Sequence, residues 1–252
     1  MRIVHAIVRK ALEDGYRRDD VALNVATKAT VPSRRCDGSE LDGGPVLRAW
    51  DSEQVRDFVA ALDGQRLAAA YILAVNTGMR RGEVLGLSWT DVDLDAPRLT
   101  VRQSLVTING HAHLTTPKTG KPRSFQIDSG TAAALRQYRA VQRAERLAWG
   151  AAWQDTGLVF TKEDGTRVQP ESFTKTFRAI VAAAGLPAIR FHDLRHTHAT
   201  LALQAGVGIK VVSQRLGHAN VAITWDTYAH VLPDQDEQAA ELFRRHVYES
   251  MR

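Results

Sequence analysis

His192-Asp193-Leu194-Arg195-His196-Thr197-His198 is a dense run of chemistry-bearing side chains in a 252-residue sequence. At ~100° per residue it reads as the start of a helix over about 192–205. Leu194, His198, Leu201 and Ala205 then share one face, while His192, Arg195 and His196 gather on another. The first face is a core stripe, and His198, falling among its leucines, reads as a hydrogen-bonded core histidine. The second face has two readings of equal weight, a solvated cationic stripe or a cluster aimed at an anion. His192 and His196 also stand four apart, as the paired ligands of a zinc-protease helix do. Asp193 occupies the position where that chemistry needs a glutamate, and Arg195 would hold a fixed charge beside the metal. The zinc reading is therefore the weaker one, and no metal is expected.

Working outward, helical periodicity continues at about 208–216 and 221–231 on one side, and at 171–184 and 130–149 on the other. Between Trp89 and Asp128 it disappears. Short β-rich runs replace it at Leu99 to Val101, Leu105 to Ile108 and Arg123 to Ile127, separated by Asn109-Gly110 and Thr119-Gly120-Lys121-Pro122. His111 and His113 alternate as a solvent-facing side of that small sheet would. Further upstream, Arg66 to Asn76 is apolar nearly all round and reads as a buried helix that Thr77-Gly78 stops. Asp51 or Ser52 caps the helix before it, and Arg80 opens a short one after it. The fold class is mainly α with a small antiparallel sheet, an α+β domain. Residues 2–28 read as one amphipathic helix, and the Pro- and Gly-bearing stretch from Thr30 to Leu47 reads as a linker.

Composition narrows the class without naming a function. Apolar residues make up 44% and charged residues 24%, which are ordinary globular values that exclude a mainly disordered or fibrous chain. The longest apolar run, Leu67 to Val75, falls well short of the roughly 20 residues of a membrane helix. Arg2, His5, Arg9 and Lys10 break any signal-peptide core. Cys36 is the only cysteine, which excludes an intrachain disulfide and fits a reducing, cytoplasmic compartment. A net charge of +5 says little if spread evenly. The segment from Lys118 to Arg146, however, holds seven Lys and Arg against two Asp and Glu, an excess equal to that of the whole chain. Within it Arg136, Arg139 and Arg143 recur at helical spacing, either as a stripe tracking a phosphate backbone or as a solvated helix face.

Five motifs now stand in order: Thr77-Gly78-Met79-Arg80-Arg81-Gly82-Glu83, Pro117-Lys118-Thr119, His192-Asp193-Leu194-Arg195-His196, Leu216-Gly217-His218 and Tyr228-Ala229-His230. In order and spacing they resemble the tyrosine recombinase, or phage integrase, family over about Trp50 to Val231. The resemblance implies a catalytic set of Arg80, Lys118, His192, Arg195, His218 and Tyr228. It also implies DNA strand cleavage through a 3′-phosphotyrosyl link, with no metal and no nucleotide cofactor. The physics suits those residue types. A phosphodiester in transition gathers negative charge on its non-bridging oxygens, and without Mg²⁺ fixed cations must meet it. Guanidinium stays ionised and presents paired donors. On this reading Arg80 and Arg195 clamp the phosphate and His218 donates to a non-bridging oxygen. His192 is the base for Tyr228, Lys118 protonates the leaving 5′-oxygen, and Glu83 orients Arg80 from one turn away.

Each assignment has a plainer rival. Lys118, close to Lys121 and Arg123, reads as a solvated hairpin residue outside the motif, and Tyr228 lies at the helical spacing of a core tyrosine. One straight helix from His218 to Tyr228 would part them by ~15 Å, so a break is expected near Ala219-Asn220, and a second near Thr224. For DNA contact the candidates are Lys121, Arg123, Arg136, Arg139 and Arg143. The resemblance further implies a double-stranded DNA partner bearing a specific recombination site, and a homotetramer assembled on DNA. A C-terminal tail helix from about 233 would dock on a neighbouring copy through Leu242, Phe243 and Val247. DNA-bending or directionality proteins are possible accessories, and no membrane is involved. The expected organisation is 1–30 as the last helix of a truncated core-binding domain, 31–48 as linker and 49–252 as catalytic domain, nucleoid-associated when acting. The short N-terminal part motivates the alternative of a remnant that binds DNA without completing recombination.

Overall fold

A computed structural model describes residues 49–108, 110–116 and 122–232, together with 243, 244 and 247. The helix expected over 2–28, the linker, and Lys118 and Lys121 lie outside the described residues. The described elements in chain order are α1 (Ser52–Ala60), α2 (Ala68–Thr77), α3 (Arg81–Leu85), β1 (Val92–Asp93), β2 (Arg98–Val101), β3 (Ser104–Ile108), β4 (His111–Thr115) and β5 (Arg123–Gln126). They continue with α4 (Ser129–Trp149), α5 (Pro170–Ala183), α6 (Asp193–Gln204), α7 (Ile209–Leu216) and α8 (Val221–Tyr228).

Local chemistry sets the boundaries. Asp51 accepts from the Gln54 backbone at 2.8 Å while the Gln54 side chain accepts from the Asp51 backbone, a reciprocal cap that starts α1. α2 buries seven of its residues, among them Tyr71, Leu73 and Val75, and ends at Gly78 with φ 65°. Only glycine suits that site, since a Cβ there would lie 2.6 Å from Leu216 and 3.0 Å from His198. The core around α2 is rich in aromatic rings. Tyr71 stacks on Phe173 at 4.4 Å, and Trp50, Phe58, Phe177 and Phe191 close the cluster at centroid distances of 5.1 to 6.4 Å. Trp50 ties the start of the domain to α6, its backbone N–H donating to Thr197 Oγ1 at 3.1 Å.

The strands form two sheets rather than the single one expected. β1, β2 and β5 make an antiparallel sheet with Leu99 opposite both Val92 and Phe125, while β3 and β4 form a separate antiparallel pair in which Ile108 faces His111. The separation occurs at Arg102-Gln103, where Gln103 Nε2 donates to the Gly86 carbonyl at 2.8 Å and turns the chain onto α3. β3 then lies directly against Gly82 and Gly86, where side chains would collide with Ser104 and Leu105. On β4, His113 is exposed, as the alternation predicts.

α6 departs from its predicted wheel. Ala199 and Leu203 are buried, Leu201 is half-buried and Ala205 is exposed. Arg195 is also buried, at 4% exposure, which rules out a solvated cationic stripe. The cause is tertiary: α6 packs against α2 on one side and α7 on the other, so both of its faces are covered. A second, smaller apolar cluster forms there from Ala199, Leu203, Val212, Leu216 and Tyr228.

Candidate active site

Arg80, His192, Arg195, His218 and Tyr228 sit at or beside element ends. Arg80 is the N-cap of α3, His192 the N-cap of α6, and Arg195 lies in the first turn of α6. α7 stops at Leu216 because Gly217 takes φ 68°, and Asn220 caps α8 by accepting from the Ala222 backbone at 3.0 Å. This break folds Tyr228 back toward α6, as the spacing argument requires. The second break does not occur, since α8 runs unbroken through Thr224. Thr224 is fully buried and its hydroxyl meets His218 Nδ1 at 2.7 Å, which fixes that ring.

Glu83 is the hub. At 1% exposure its carboxylate accepts from the Arg80 backbone and Nη1, both at 2.9 Å, and from Arg123 Nη1 and Nη2 at 3.0 and 2.7 Å. Burial alone would raise its pKa, but Arg123 and Arg80 outweigh that and hold it below the ordinary carboxylate value. The link from Glu83 to Arg80 was legible in the sequence. The role of Arg123 was not: placed there as a DNA contact, its guanidinium is fully engaged within the protein. Its Nε donates to the Arg215 carbonyl at 2.9 Å, and the side chain packs where a Cβ on Gly217 would sit. Arg123 thus connects β5, the start of α3 and the end of α7, three segments that each lead into a predicted site residue.

Arg195 donates Nη1 to the Gly78 carbonyl at 2.9 Å, yet its Nη2 is buried with no partner. Burial and the charge of Arg80, opposed by Glu83, lower its pKa to about 9, so it remains a cation at neutral pH. A buried guanidinium without its own carboxylate is a costly arrangement that an arriving anion relieves. Burial and the charges of Arg195, Arg80 and Arg123 push His218 down to about 4, so its ring is neutral. His192, exposed at the helix start, is lowered by partial desolvation, His196, Arg195 and Arg80.

Tyr228 is 1% exposed, and burial, opposed by Arg195, pushes its phenol up to about 12. Its hydroxyl meets His196 Nδ1 at 2.7 Å. Sequence reasoning placed His196 on the right face but gave it no part in the site. Only its position one turn after His192 could have pointed to it. Asp193 is turned away onto Arg190 at 2.8 Å, and no group of three metal-capable side chains forms among the described residues. His198 is a core residue, its ring bonded to the Val75 backbone and lowered to about 4 by burial, though Nε2 has no partner.

The arginine stripe on α4 forms, with Arg136 and Arg143 exposed and Arg139 half-buried. Arg136 donates to the Leu94 carbonyl, Arg139 lies 4.9 Å from the Trp89 ring centroid, and Arg143 lines the same crevice beside Asp93 and Asp95.

Buried Arg195, with His196 against the Tyr228 hydroxyl and His218 nearby, forms a cationic, imidazole-bearing site on a helical scaffold. The family model for the phage integrase family matches residues 48–235. The chain belongs to that family. It is 35% identical over 246 residues to a tyrosine recombinase XerC-like protein of Caldanaerobacter subterraneus subsp. tengcongensis, covering 92% of this chain and 61% of that one. It is 27% identical over 198 residues to the ICEBs1 integrase of Bacillus subtilis, covering 77% of this chain and 54% of that one. The chain thus spans between half and two thirds of the length of these relatives. Among solved structures, the Tn1549 transposon integrase in complex with transposon right end DNA superposes with a TM-score of 0.69. That match has 22% identity and covers 95% of this chain and 77% of the other. The XerA recombinase gives a TM-score of 0.58 at 24% identity, covering 88% and 71%. At those identities the two structures speak for the fold.

Proposed function

We propose that residues 49–252 form the catalytic domain of a site-specific DNA recombinase that cleaves and rejoins strands through Tyr228. The observation that carries this reading is the unpartnered, buried Nη2 of Arg195, within the electrostatic reach of Arg80, Arg123 and Tyr228. Such a guanidinium is preorganised for a phosphate oxygen and needs no rearrangement when charge develops there. Arg80, whose side chain is 29% exposed, supplies the second cation from the open side. His218, fixed by Thr224 and neutral, donates to a non-bridging oxygen. Tyr228 attacks phosphorus, the P–O5′ bond breaks, and a 3′-phosphotyrosyl link stores the bond energy for rejoining. Lys118 supplies the proton of the leaving 5′-oxygen.

The partner is double-stranded DNA carrying a recombination site, in line with the DNA complex of the Tn1549 integrase. Assembly as a tetramer through the tail is the finer part of the proposal. It draws support from Phe243, an apolar side chain 67% exposed. No helix among the described residues is long and apolar enough to cross a membrane.

Incubating the chain with a nicked suicide duplex should yield a protein–DNA adduct that survives boiling in detergent. Tyr228→Phe should yield none. An adduct persisting in the Phe variant overturns the choice of nucleophile, and no adduct from the unaltered chain on its own recombination site overturns the recombinase reading.

A further inference from the structure

The Tyr228 hydroxyl has a single hydrogen-bond partner among the described residues, His196 Nδ1 at 2.7 Å, with ring centroids 5.8 Å apart. No hydrogen bond joins Tyr228 to His192, the residue for which the family resemblance implies the role of base. His192 instead meets His196 edge to face at 5.4 Å, on the open side of the pair. The groups facing His196 come from every element around it. Asp193, Arg190, Arg195 and His192 lie on α6 and its approach, His218 on the link after α7, and Tyr228 on α8.

The geometry points to His196 as the group that takes the proton of Tyr228 when its oxygen attacks phosphorus. This rests on the recombinase reading above. The step balances: the Tyr228 O–H bond breaks, its proton passes to Nδ1, the O–P bond forms and the P–O5′ bond breaks. In the rejoining direction the imidazolium returns that proton to the departing phenolate. Accepting at Nδ1 requires the tautomer with its proton on Nε2. Partial burial, opposed by Asp193 and aided by Arg195 and Arg190, lowers the pKa of His196 and keeps Nδ1 free near neutrality. His192 is thereby released to face the phosphate.

The test is single-turnover adduct formation on two nicked duplexes, one with the natural 5′-oxygen at the scissile position and one with a bridging sulfur, whose thiolate leaves without a proton. His196→Gln keeps a hydrogen-bond acceptor near the tyrosine but is no base. It should slow cleavage roughly a hundredfold on both duplexes and remove the acid limb of the rate–pH profile. His196→Ala should regain rate with added imidazole, a rescue that a purely structural role would not show. His192→Gln should keep the acid limb. Full recovery of His196→Gln on the sulfur duplex would make His196 a leaving-group acid and overturn the inference. An undiminished rate in that variant, or loss of the acid limb in His192→Gln alone, would also overturn it. No adduct from the unaltered chain on either duplex would instead bring down the recombinase reading, and this one with it.

Discussion

Tyr71 and Tyr228 are hidden from solvent to the same degree, at 0% and 1% exposure, and burial raises the pKa of both. Their surroundings differ. Tyr71 is stacked on Phe173 within a large aromatic core, and its hydroxyl donates to a backbone carbonyl at 3.0 Å, a partner that cannot accept its proton outright. Tyr228 belongs to a five-residue cluster, and its hydroxyl faces an imidazole in the field of Arg195. Burial therefore does not separate a structural tyrosine from the proposed nucleophile. The chemistry of the hydroxyl's partner and the size of the cluster around the ring do.

Exchanging the two hydroxyls is the most direct way to break that contrast. Tyr228→Phe should abolish the covalent adduct with little change in melting temperature, whereas Tyr71→Phe should cleave normally and lose about 1 kcal/mol of stability. Equal adduct yields from the two would dissolve the distinction. Next in size is Arg195→Ala, expected to slow cleavage on the order of 10²–10³-fold while retaining duplex binding, because it removes preorganised donors. A parallel loss of binding and rate would instead make Arg195 a simple anchor.

Truncating the rings tests the cluster sizes. Tyr71→Ala should cost about 3–5 kcal/mol in a denaturant titration, and Tyr228→Ala less, since its smaller surroundings can collapse. The reverse order would mean that the C-terminal cluster is the stiffer one. A further contrast is read by pH. His198 and His218 are held neutral down to about 4, whereas in the unfolded chain they protonate near 6.5. Above 6.5 neither state binds the proton and stability is level. Between 6.5 and 4 the unfolded chain alone binds it, so stability should fall with pH by about 1.4 kcal/mol per unit for the well-buried His198. Below 4 the loss from this residue levels off. A thermal melt series that stays flat from pH 7 to 4.5 would show these rings to be hydrated.

Much of this was legible in the sequence because helix ends are written locally. Gly78, Asp51, Gly217 and Asn220 announce the boundaries that bring Arg80, His218 and Tyr228 into place, and the i,i+3 pair of Arg80 and Glu83 needs only one helical turn. Partnerships across long sequence gaps were not legible. Arg123 is 40 residues from Glu83 and 92 from the Arg215 carbonyl, and His196 is 32 from Tyr228. Charge counting assigned Arg123 to DNA because a sequence gives the sign of a side chain and not its direction. The wheel of α6 failed for a related reason, since periodicity assumes one wet face and this helix has none.

The carbonyl that receives Arg195 belongs to Gly78, the residue closing α2. Peptide dipoles along that helix add up to roughly half a negative elementary charge at its C-terminal end. The most enclosed apolar helix of the domain therefore serves as a partial counter-ion. It helps hold the guanidinium in place and leaves it with charge that an arriving anion would neutralise.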